Sequence, residues 1–383
     1  MRTWDEAFDI ASKSFAHLGS ETVLLSSAFG RTLAVDAVSL CDLPAFETSA
    51  MDGWAVCGPS PWKVIGEVAT GKASEQTIGN QECMKISTGG VVPKGATSVI
   101  PWEIAHEDAG SITGVIDLGA NIRPAGVESN KNDILFVAGT RLNSPMVGLL
   151  AATGHDKLVV RRKPRIAIFF LGDELLHTGV PTDGAIRDAL GPQLPAMIEG
   201  FGADVVFARF VKDDLDTLNS QIAESLHDAD MIITTGGTAD GPKDYVKFAI
   251  SQLRGRYLLD CVKVRPGYHI LLATIEHDDR HIAFLALPGN PQSAIAALTS
   301  FGRPVINSLL GAPTMPPSAI QLAQEFKTQE GFSRLVPGNL EGSTFTPTGY
   351  LGSAMLRGVA QASGFALVDP GGKSARWLEL PTF

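Results

Sequence analysis

The sequence predicts an α/β plus β protein with several domains: a central α/β domain, a β-rich domain before it and a C-terminal β-domain after it. A chain of 383 residues is too long for one ordinary hydrophobic core. Residues 164–310 alternate strand-like apolar runs with helical patterns, which is typical of a parallel sheet with crossover helices. Short β-rich runs separated by Gly, Pro and Asn flank this segment.

The first 163 residues predict two units. Residues 3–35 place apolar side chains at helical spacing between punctuating glycines, which predicts a helix, a turn and a second helix. Residues 46–139 contain short strand-like runs, such as 62–66 and 98–101, and predict a β-rich domain. A short helix at 145–153 should precede the boundary with the central domain.

The central domain should contain at least four strands and four helices. Strands are predicted at 165–171, 203–210, 231–235 and 281–286. Helices are predicted at about 189–201, 214–227, 242–253 and 290–309. After Gly311 short strands return, so residues 311–383 predict a separate β-module.

Composition excludes several functional classes. The net charge of −10 argues against a nucleic-acid binder, although one anionic ligand could still occupy a local positive pocket. The acidic, amphipathic N-terminus differs from a secretory signal, and no apolar run approaches the roughly 18 residues that span a bilayer. We therefore expect a soluble, cytoplasmic protein without membrane contact. Its dispersed cysteines predict reduced thiols and no disulfide framework or zinc site: Cys41, Cys57, Cys83 and Cys261.

The loops that follow the predicted strands are the best candidates for a ligand site, because ligands of open α/β sheets bind beyond the carboxyl ends of the strands. The loop 234–245 contains Gly236 and Gly237 and runs into a helix, so its N–H groups could hold a phosphate. The loop 287–291 brackets Gly-Asn with two prolines, and 264–267 reads Val-Arg-Pro-Gly. Taken alone, a double glycine after a strand is more often a plain tight turn, and the loop 287–291 could equally be a stiff turn before a helix.

Acidic residues cluster at predicted strand ends and helix starts. Several of them converging on one sheet edge would suit a hard cation such as magnesium. A single one is more often a helix cap, since helix N-termini favour carboxylates. The set is Asp173, Glu174, Asp188, Asp213, Asp214, Asp240 and Asp244. None of the eight histidines belongs to an HExxH motif, which argues against a zinc hydrolase.

Two loops in the β-rich segment combine residues that form neither a clean strand nor a clean helix. One offers Asp52 and the other offers Thr88 together with several backbone donors. They are either binding loops or plain connections that cross between domains.

These loops, in this order, resemble the molybdopterin molybdenumtransferase family, which includes the C-terminal domain of gephyrin. The resemblance covers nearly the whole chain. Its most specific points are Leu43-Pro-Ala-Phe, Ser49-Ala-Met-Asp-Gly-Trp-Ala-Val, Ser87-Thr-Gly, Pro93-Lys-Gly-Ala, Asn121-Ile-Arg, Pro164-Arg-Ile-Ala-Ile, Gly172-Asp-Glu-Leu, Thr235-Gly-Gly, Asp244-Tyr-Val-Lys, Pro266-Gly and Leu287-Pro-Gly-Asn-Pro-Gln-Ser-Ala.

The resemblance implies an elongated homodimer of four-domain subunits. A discontinuous helical and loop domain would comprise residues 1–45 and 140–163, and the β-rich domain would occupy 46–139. The α/β domain at 164–310 would bind molybdopterin, and a β-domain would close the chain at 311–383. The active cleft would lie between the α/β domain and a loop of the partner subunit, which brings Asp52 and Thr88 to the partner's Glu174 and Asp244.

The implied reaction starts from adenylylated molybdopterin and molybdate: magnesium assists hydrolysis of the phosphoanhydride, AMP leaves and the pterin dithiolene binds molybdenum. The molybdopterin adenylyltransferase is a candidate partner. The catalytic residues carried over are Asp52, Glu174 and Asp244. The magnesium ligands are Glu174, Asp188, Asp213 and Asp244. The cofactor-binding residues are Thr88, Gly236, Gly237, Lys243, Arg265, Pro288 and Pro291.

The anion-binding side departs from the family pattern, while the carboxylates are retained. The resemblance implies a hydroxyl pair where this chain has Phe170-Leu171, a Ser at Ala239, a Ser/Thr-Asn pair at Ala189-Leu190 after Asp188, a Lys at both Cys261 and Tyr268, and a Ser pair at Arg357-Gly358. Two hypotheses follow. Either the chain is a working enzyme whose phosphates are held by substituted cations, or it is a paralogue that binds or scaffolds the cofactor without turnover. The substituted cations would be Lys243, Lys263, Arg265 and Arg357.

Overall fold

The computed structural model describes residues 1–69, 71–238, 245–352 and 354–381. The N-terminal part contains α1 (Trp4–Lys13), β1 (Ser20–Leu24), β2 (Ala37–Val38), β3 (Thr48–Ser49), β4 (Gly53–Val56), β5 (Trp62–Glu67), β6 (Glu82–Ile86), β7 (Ser98–Pro101), β8 (His106–Asp108), β9 (Ser111–Thr113), β10 (Ile122–Arg123), β11 (Ile134–Phe136), α2 (Ser144–Ala152) and β12 (Lys157–Arg161). Short 3-10 turns lie at Leu25–Ser27 and Trp102–Ile104.

The first predicted helix is confirmed, and the second is wrong. A capping box begins α1, in which the Thr3 hydroxyl accepts the Glu6 N–H and the Glu6 carboxylate accepts the Thr3 N–H. The segment predicted as the second helix forms β1 instead, antiparallel to β12. Tertiary pairing with a strand more than 130 residues away overrides the local pattern there, and the β-branched residues of β1 suit a strand.

The β-rich segment is confirmed. Its main sheet has the order β7-β4-β6-β5-β9-β8, in which both strands named from the sequence take part. The short helix near 145–153 is also confirmed as α2, with the Asn143 side chain accepting the Met146 N–H at its start.

The central domain is a sheet with helices on both faces. Its elements are β13 (Arg165–Leu171), β14 (Leu175–Leu176), β15 (Ile186–Arg187), α3 (Leu194–Gly200), β16 (Asp204–Val211), α4 (Leu215–Ser225), β17 (Met231–Thr235), α5 (Val246–Gln252), β18 (Arg256–Asp260), β19 (Val264–Arg265), β20 (Leu271–His277), β21 (Arg280–Leu287), α6 (Pro291–Ala297) and α7 (Arg303–Leu310). A π-helical turn at Leu298–Gly302 joins α6 to α7.

The sheet order is β16-β13-β17-β21-β20-β18. The strands β16, β13, β17 and β21 are parallel, as predicted, whereas β20 and β18 were missed and are antiparallel. A two-residue turn, Asp278-Asp279, with φ of 46° and 59°, makes β20 and β21 a hairpin. The sheet is therefore mixed: its parallel part is as predicted, and its two antiparallel strands were not predicted.

The strands are buried on both faces, which explains their continuous apolar runs. Alternate residues of β13 enter two cores: Ile166 and Ile168 pack with α3, α6 and α7, while Ala167 and Phe169 pack with α4 and α5. Helix α1 also packs on the first core, with the Trp4 and Phe301 ring centroids 6.0 Å apart.

The C-terminal segment is β-rich, as predicted. It contains β22 (Ser318–Leu322), β23 (Ser333–Glu341), β24 (Thr344–Pro347), α8 (Leu356–Ala360), β25 (Gly364–Val368) and β26 (Ala375–Glu379). Its sheet includes β19 from the central domain, which runs parallel to β23 and pairs Arg265 with Arg334. This pairing brings a C-terminal strand to the edge of the central sheet.

A buried ion pair at the start of β17 predicts a large loss of stability. Asp230 is 5% exposed, accepts two N–H groups of Arg162 at 2.6 and 2.7 Å, and accepts the Arg165 N–H at 2.9 Å. We expect Asp230→Ala to lower the free energy of unfolding by about 2–3 kcal/mol, because these donors lose their acceptor. Equilibrium urea unfolding measures the change.

Asp228→Ala is the matched control. Asp228 pairs with Arg165 at 3.2 Å, but both side chains are about half exposed or more. An exposed pair contributes at most about 1 kcal/mol. Equal losses in the two variants would contradict the account of Asp230.

Candidate functional site at the carboxyl edge of the central sheet

The carboxyl ends of the parallel strands carry two adjoining clefts. Strands β13, β17 and β21 end at Leu171, Thr235 and Leu287, and the two clefts share residues of the loops that follow β17 and β21. We call the shared ridge the glycine saddle: Gly236, Gly237, Gly289 and Asn290.

Close backbone contacts build the glycine saddle. The Gly236 N–H donates to the Leu287 carbonyl at 3.0 Å, which ties the two loops together. Gly236 and Gly237 have φ of 82° and 63°, a region that favours glycine. A Cβ on Gly289 would lie 3.4 Å from the Gly236 Cα, so the two loops are in van der Waals contact. Backbone in this conformation can present N–H groups to an anion.

The first cleft, which we call the arginine cleft, has a volume of about 590 Å³ and two guanidinium groups in its wall. The Arg265 guanidinium carbon lies 5.3 Å from the Tyr268 ring centroid and 5.7 Å from that of Phe332, and its Nε donates to Gln329 at 3.2 Å. Arg334 donates to the Lys327 carbonyl at 3.0 Å. Guanidinium groups bind phosphate bidentately, so this cleft is suited to an anion.

The second cleft, which we call the carboxylate cleft, has a volume of about 650 Å³ and is lined by Glu174, Asp188 and Asp213. Glu174 is exposed and folds over Gly172, where an added Cβ would lie 2.9 Å from the Glu174 Oε1. Reciprocal hydrogen bonds join the loops after β13 and β16. The Asp213 N–H donates to Asp173 at 3.2 Å, and the Asp173 N–H donates to Asp213 at 3.4 Å.

Asp188 also has a structural role. It is 8% exposed, and its carboxylate accepts the N–H groups of Leu190 and Gly191, each at 3.0 Å. These hydrogen bonds fix the turn before α3, which agrees with the alternative prediction that such an acidic residue is a local cap. The same side chain still lines the carboxylate cleft.

The donor set of the carboxylate cleft fits magnesium. Its three carboxylates supply the hard oxygen atoms that Mg²⁺ prefers. Within the described part of the chain they are not gathered within 4.8 Å of one another. Mg²⁺ is usually held by one or two carboxylates, with water and phosphate oxygens completing its shell.

The structure brings most of the sequence-predicted central residues to the two clefts. Gly236 and Gly237 form the saddle, Arg265 and Pro288 line the arginine cleft, and Pro291 lines the carboxylate cleft. Asp244 and Lys243, together with Ala239 and Asp240, lie outside the described residues.

Asp52 and Thr88 lie elsewhere in the subunit. Both are exposed on loops of the β-rich domain, and the Thr88 N–H donates to the Asp52 carboxylate at 2.8 Å. Neither residue lines the arginine or the carboxylate cleft. The two loops therefore form one unit whose carboxylate is held towards solvent.

The cations of the arginine cleft differ in part from those expected. Lys263 and Arg357 are absent from the described lining of both clefts; Arg357 instead lies over the Tyr350 ring at 4.6 Å. Arg334 was not predicted as a cation of this cleft, because it comes next to Arg265 only through the pairing of β19 with β23. In the sequence alone, nothing distinguishes Arg334 from an ordinary strand residue.

Neutral groups stand where the resemblance implies lysines. Burial raises the pKa of the Cys261 thiol, and the neighbouring Asp260 carboxylate raises it further, so Cys261 carries no charge near neutral pH. Tyr268 stacks with Arg265. Phe170 and Leu171, which replace hydroxyl residues, are buried at the end of β13. Positive charge in the described wall of this cleft therefore rests on Arg265 and Arg334.

Family models match three successive parts of the chain. Residues 2–154 match the MoeA N-terminal region (domain I and II), residues 167–308 a probable molybdopterin binding domain, and residues 319–376 the MoeA C-terminal region (domain IV). Together these matches leave only short segments uncovered.

Curated relatives and solved structures agree with the family models. A Staphylococcus epidermidis protein named molybdopterin molybdenumtransferase is 29% identical over 96% of this chain and 91% of its own length. A Staphylococcus aureus protein of the same name is 29% identical over 92% of this chain and 87% of its own. A molybdopterin biosynthesis MoeA protein from Pyrococcus horikoshii has a TM-score of 0.79 and 25% identity, with 100% of this chain and 99% of that chain covered. The chain therefore belongs to the MoeA family, whose curated members are named molybdopterin molybdenumtransferases.

Proposed function

We propose that this protein is a transferase of molybdenum cofactor biosynthesis that inserts molybdenum from molybdate into molybdopterin. The observation that carries the proposal is the junction of two clefts of opposite polarity at the glycine saddle. An anionic, phosphorylated pterin needs cations and backbone donors on one side. Chemistry on its phosphate needs carboxylates that hold a metal ion on the other.

The substrate we propose is adenylylated molybdopterin. Arg265 and Arg334 would bind the phosphates. The N–H groups of the saddle, apart from that of Gly236, which donates to Leu287, would fix their position. Water adds to phosphorus, the phosphoanhydride bond breaks, and AMP leaves while the other phosphate stays on molybdopterin. The two dithiolene sulfur atoms then bind molybdenum, and one oxygen atom of molybdate leaves as water with the two thiol protons. Mg²⁺, when bound by Glu174 and Asp213, would neutralise charge on the phosphate oxygens. Orientation of the two ends of the ligand across the saddle is the contribution of the protein itself.

We further propose that the active unit is a homodimer. Asp52 and Thr88 line neither cleft of their own subunit, so a site that uses them would need a second subunit. Two-fold symmetry is the default for soluble oligomers, and it would form two such sites at once. We expect sedimentation analysis to show a dimer at micromolar concentration. A monomer with full activity would contradict the shared site.

We also propose a cellular location and a partner protein for the enzyme. Among the described residues no helix is both long and apolar enough to cross a membrane. The reduced cysteines and the reaction suit the cytoplasm. The molybdopterin adenylyltransferase, which would produce the substrate, is the partner we expect.

Molybdate-dependent release of AMP tests the proposed function. The purified protein is incubated with adenylylated molybdopterin and Mg²⁺, with and without molybdate, and AMP is quantified. We expect AMP release that requires both ions. Tight binding of the pterin nucleotide without AMP release would instead support the non-catalytic paralogue, for which the loss of hydroxyl residues at Phe170 and Leu171 is the specific argument.

A further inference from the structure

A second group of metal-ligating side chains lies at the opposite edge of the central sheet. His277 ends β20, Asp278 begins the hairpin turn and His227 follows α4. Among the described residues this is the one group of three or more His, Cys, Asp or Glu side chains whose ligand atoms all lie within 4.8 Å of one another. It lies where β17 and β21 begin, whereas the two clefts lie where these strands end.

The distances within this triad match those between ligands of a tetrahedral zinc ion. The His277 Nε2 lies 3.3 Å from the His227 Nδ1 and 3.3 Å from an Asp278 carboxylate oxygen, and the third side of the triangle is 3.8 Å. Two ligands at 2.0–2.1 Å from a tetrahedral ion are separated by roughly 3.3 Å. The arrangement thus needs little movement to accept an ion.

The backbone holds the three ligands on two rigid elements. The turn that carries Asp278 is fixed by the pairing of His277 with Arg280 across the hairpin. Arg280 in turn donates from its guanidinium to the carbonyls of Leu226, His227 and Ala229 at the end of α4. Because this arginine joins the helix end to the hairpin, the imidazole of His227 stays beside that of His277.

We propose that His227, His277 and Asp278 form a binding site for a borderline divalent transition metal, with Zn²⁺ as its probe. Two imidazoles and one carboxylate are the ligand types that suit such ions. Three protein ligands leave one tetrahedral position for water, so the site binds by exchange with solvent. The bound ion clamps the C-terminal end of α4 to the β20–β21 hairpin and stabilises the folded chain.

Zinc titration of matched variants tests this site. The protein is freed of metal with a chelator, exchanged into buffer with excess Mg²⁺ to saturate oxygen-rich sites, and titrated with ZnCl₂ by calorimetry. We expect one zinc site in the wild type. His277→Ala and His227→Ala should weaken it by at least about tenfold, since even indirect partners of a metal contribute that much.

His281→Ala is the control, because His281 lies in the same hairpin and is exposed but is not in the triad. It should keep the site. Zinc should also raise the melting temperature of the wild type and of His281→Ala, but not that of His227→Ala. Because the side chain of His227 is exposed, its removal should not disturb the fold, so a lost zinc effect reports a lost ligand. The proposal is overturned if the wild type binds no zinc, if both triad variants bind it as the wild type does, or if His281→Ala loses it equally. None of these measurements uses AMP release, so they test the zinc site separately from the proposed function.

Discussion

Glu174→Gln is expected to reduce molybdate-dependent AMP release by roughly a hundredfold, which corresponds to ~2.7 kcal/mol of transition-state stabilisation. The substitution keeps the size of the side chain and removes the charge that would hold Mg²⁺ against the phosphates. Glu174 is exposed above Gly172, so the fold does not depend on its charge. Steady-state kinetics with varied Mg²⁺ should show a lower kcat and a higher requirement for the ion.

The control is Glu276→Gln, because Glu276 is an exposed carboxylate on β20 outside both clefts. It should leave kcat unchanged. Activity of Glu174→Gln within about twofold of the wild type would remove Glu174 from the reaction, and the carboxylate cleft would then lose its assigned chemistry.

Arg265→Ala is expected to weaken binding of adenylylated molybdopterin by about tenfold or more, the 1.5–3 kcal/mol typical of a hydrogen bond to a charged group. The effect should be large because the lysines implied by the family pattern are replaced by neutral Cys261 and Tyr268. A desolvated phosphate without donors costs several kcal/mol. Arg334→Ala should act in the same direction, since its guanidinium lines the same cleft.

Arg165→Ala serves as the matched control, as an exposed arginine at the amino end of β13. Fluorescence or calorimetric titration with the pterin nucleotide compares the three variants. Unchanged affinity in both Arg265→Ala and Arg334→Ala would show that the phosphates lie elsewhere. The polarity of the two clefts would then no longer support the proposed substrate orientation.

Local patterns predicted those elements whose stabilising contacts are close in sequence or whose faces are uniformly apolar. Strand β17 begins and ends where the apolar run does, and the helical pattern at 290–309 became the continuous stretch from α6 through the π turn to α7. The second N-terminal helix was wrong because β1 pairs with β12, far along the chain. Strand β20 was missed because the hairpin that joins it to β21 reverses at Asp278-Asp279 without a glycine signal. Strand β18 was missed together with it, because β18 pairs only with β20 in this sheet.

The candidate site was predictable in part for a similar reason. Because parallel strands end at one edge, residues after β13, β17 and β21 could be placed together from the sequence, among them Glu174, Gly236 and Pro288. Arg334 could not, because a separate β-sheet delivers it through the pairing of β19 with β23. The roles of these residues, and the domain limits, stay predictions.

In the proposed homodimer, Asp52 of one subunit and Glu174 of its partner act in a single active site. Subunits carrying Asp52→Asn and subunits carrying Glu174→Gln are each expected to be nearly inactive alone. Asn can still accept the Thr88 N–H, so the loop geometry should survive. When the two variants are mixed and allowed to exchange, half of the dimers are mixed, and each of these regains one intact site out of two. Molybdate-dependent AMP release should therefore recover to about a quarter of the wild-type value. No recovery after verified subunit exchange would contradict the shared active site.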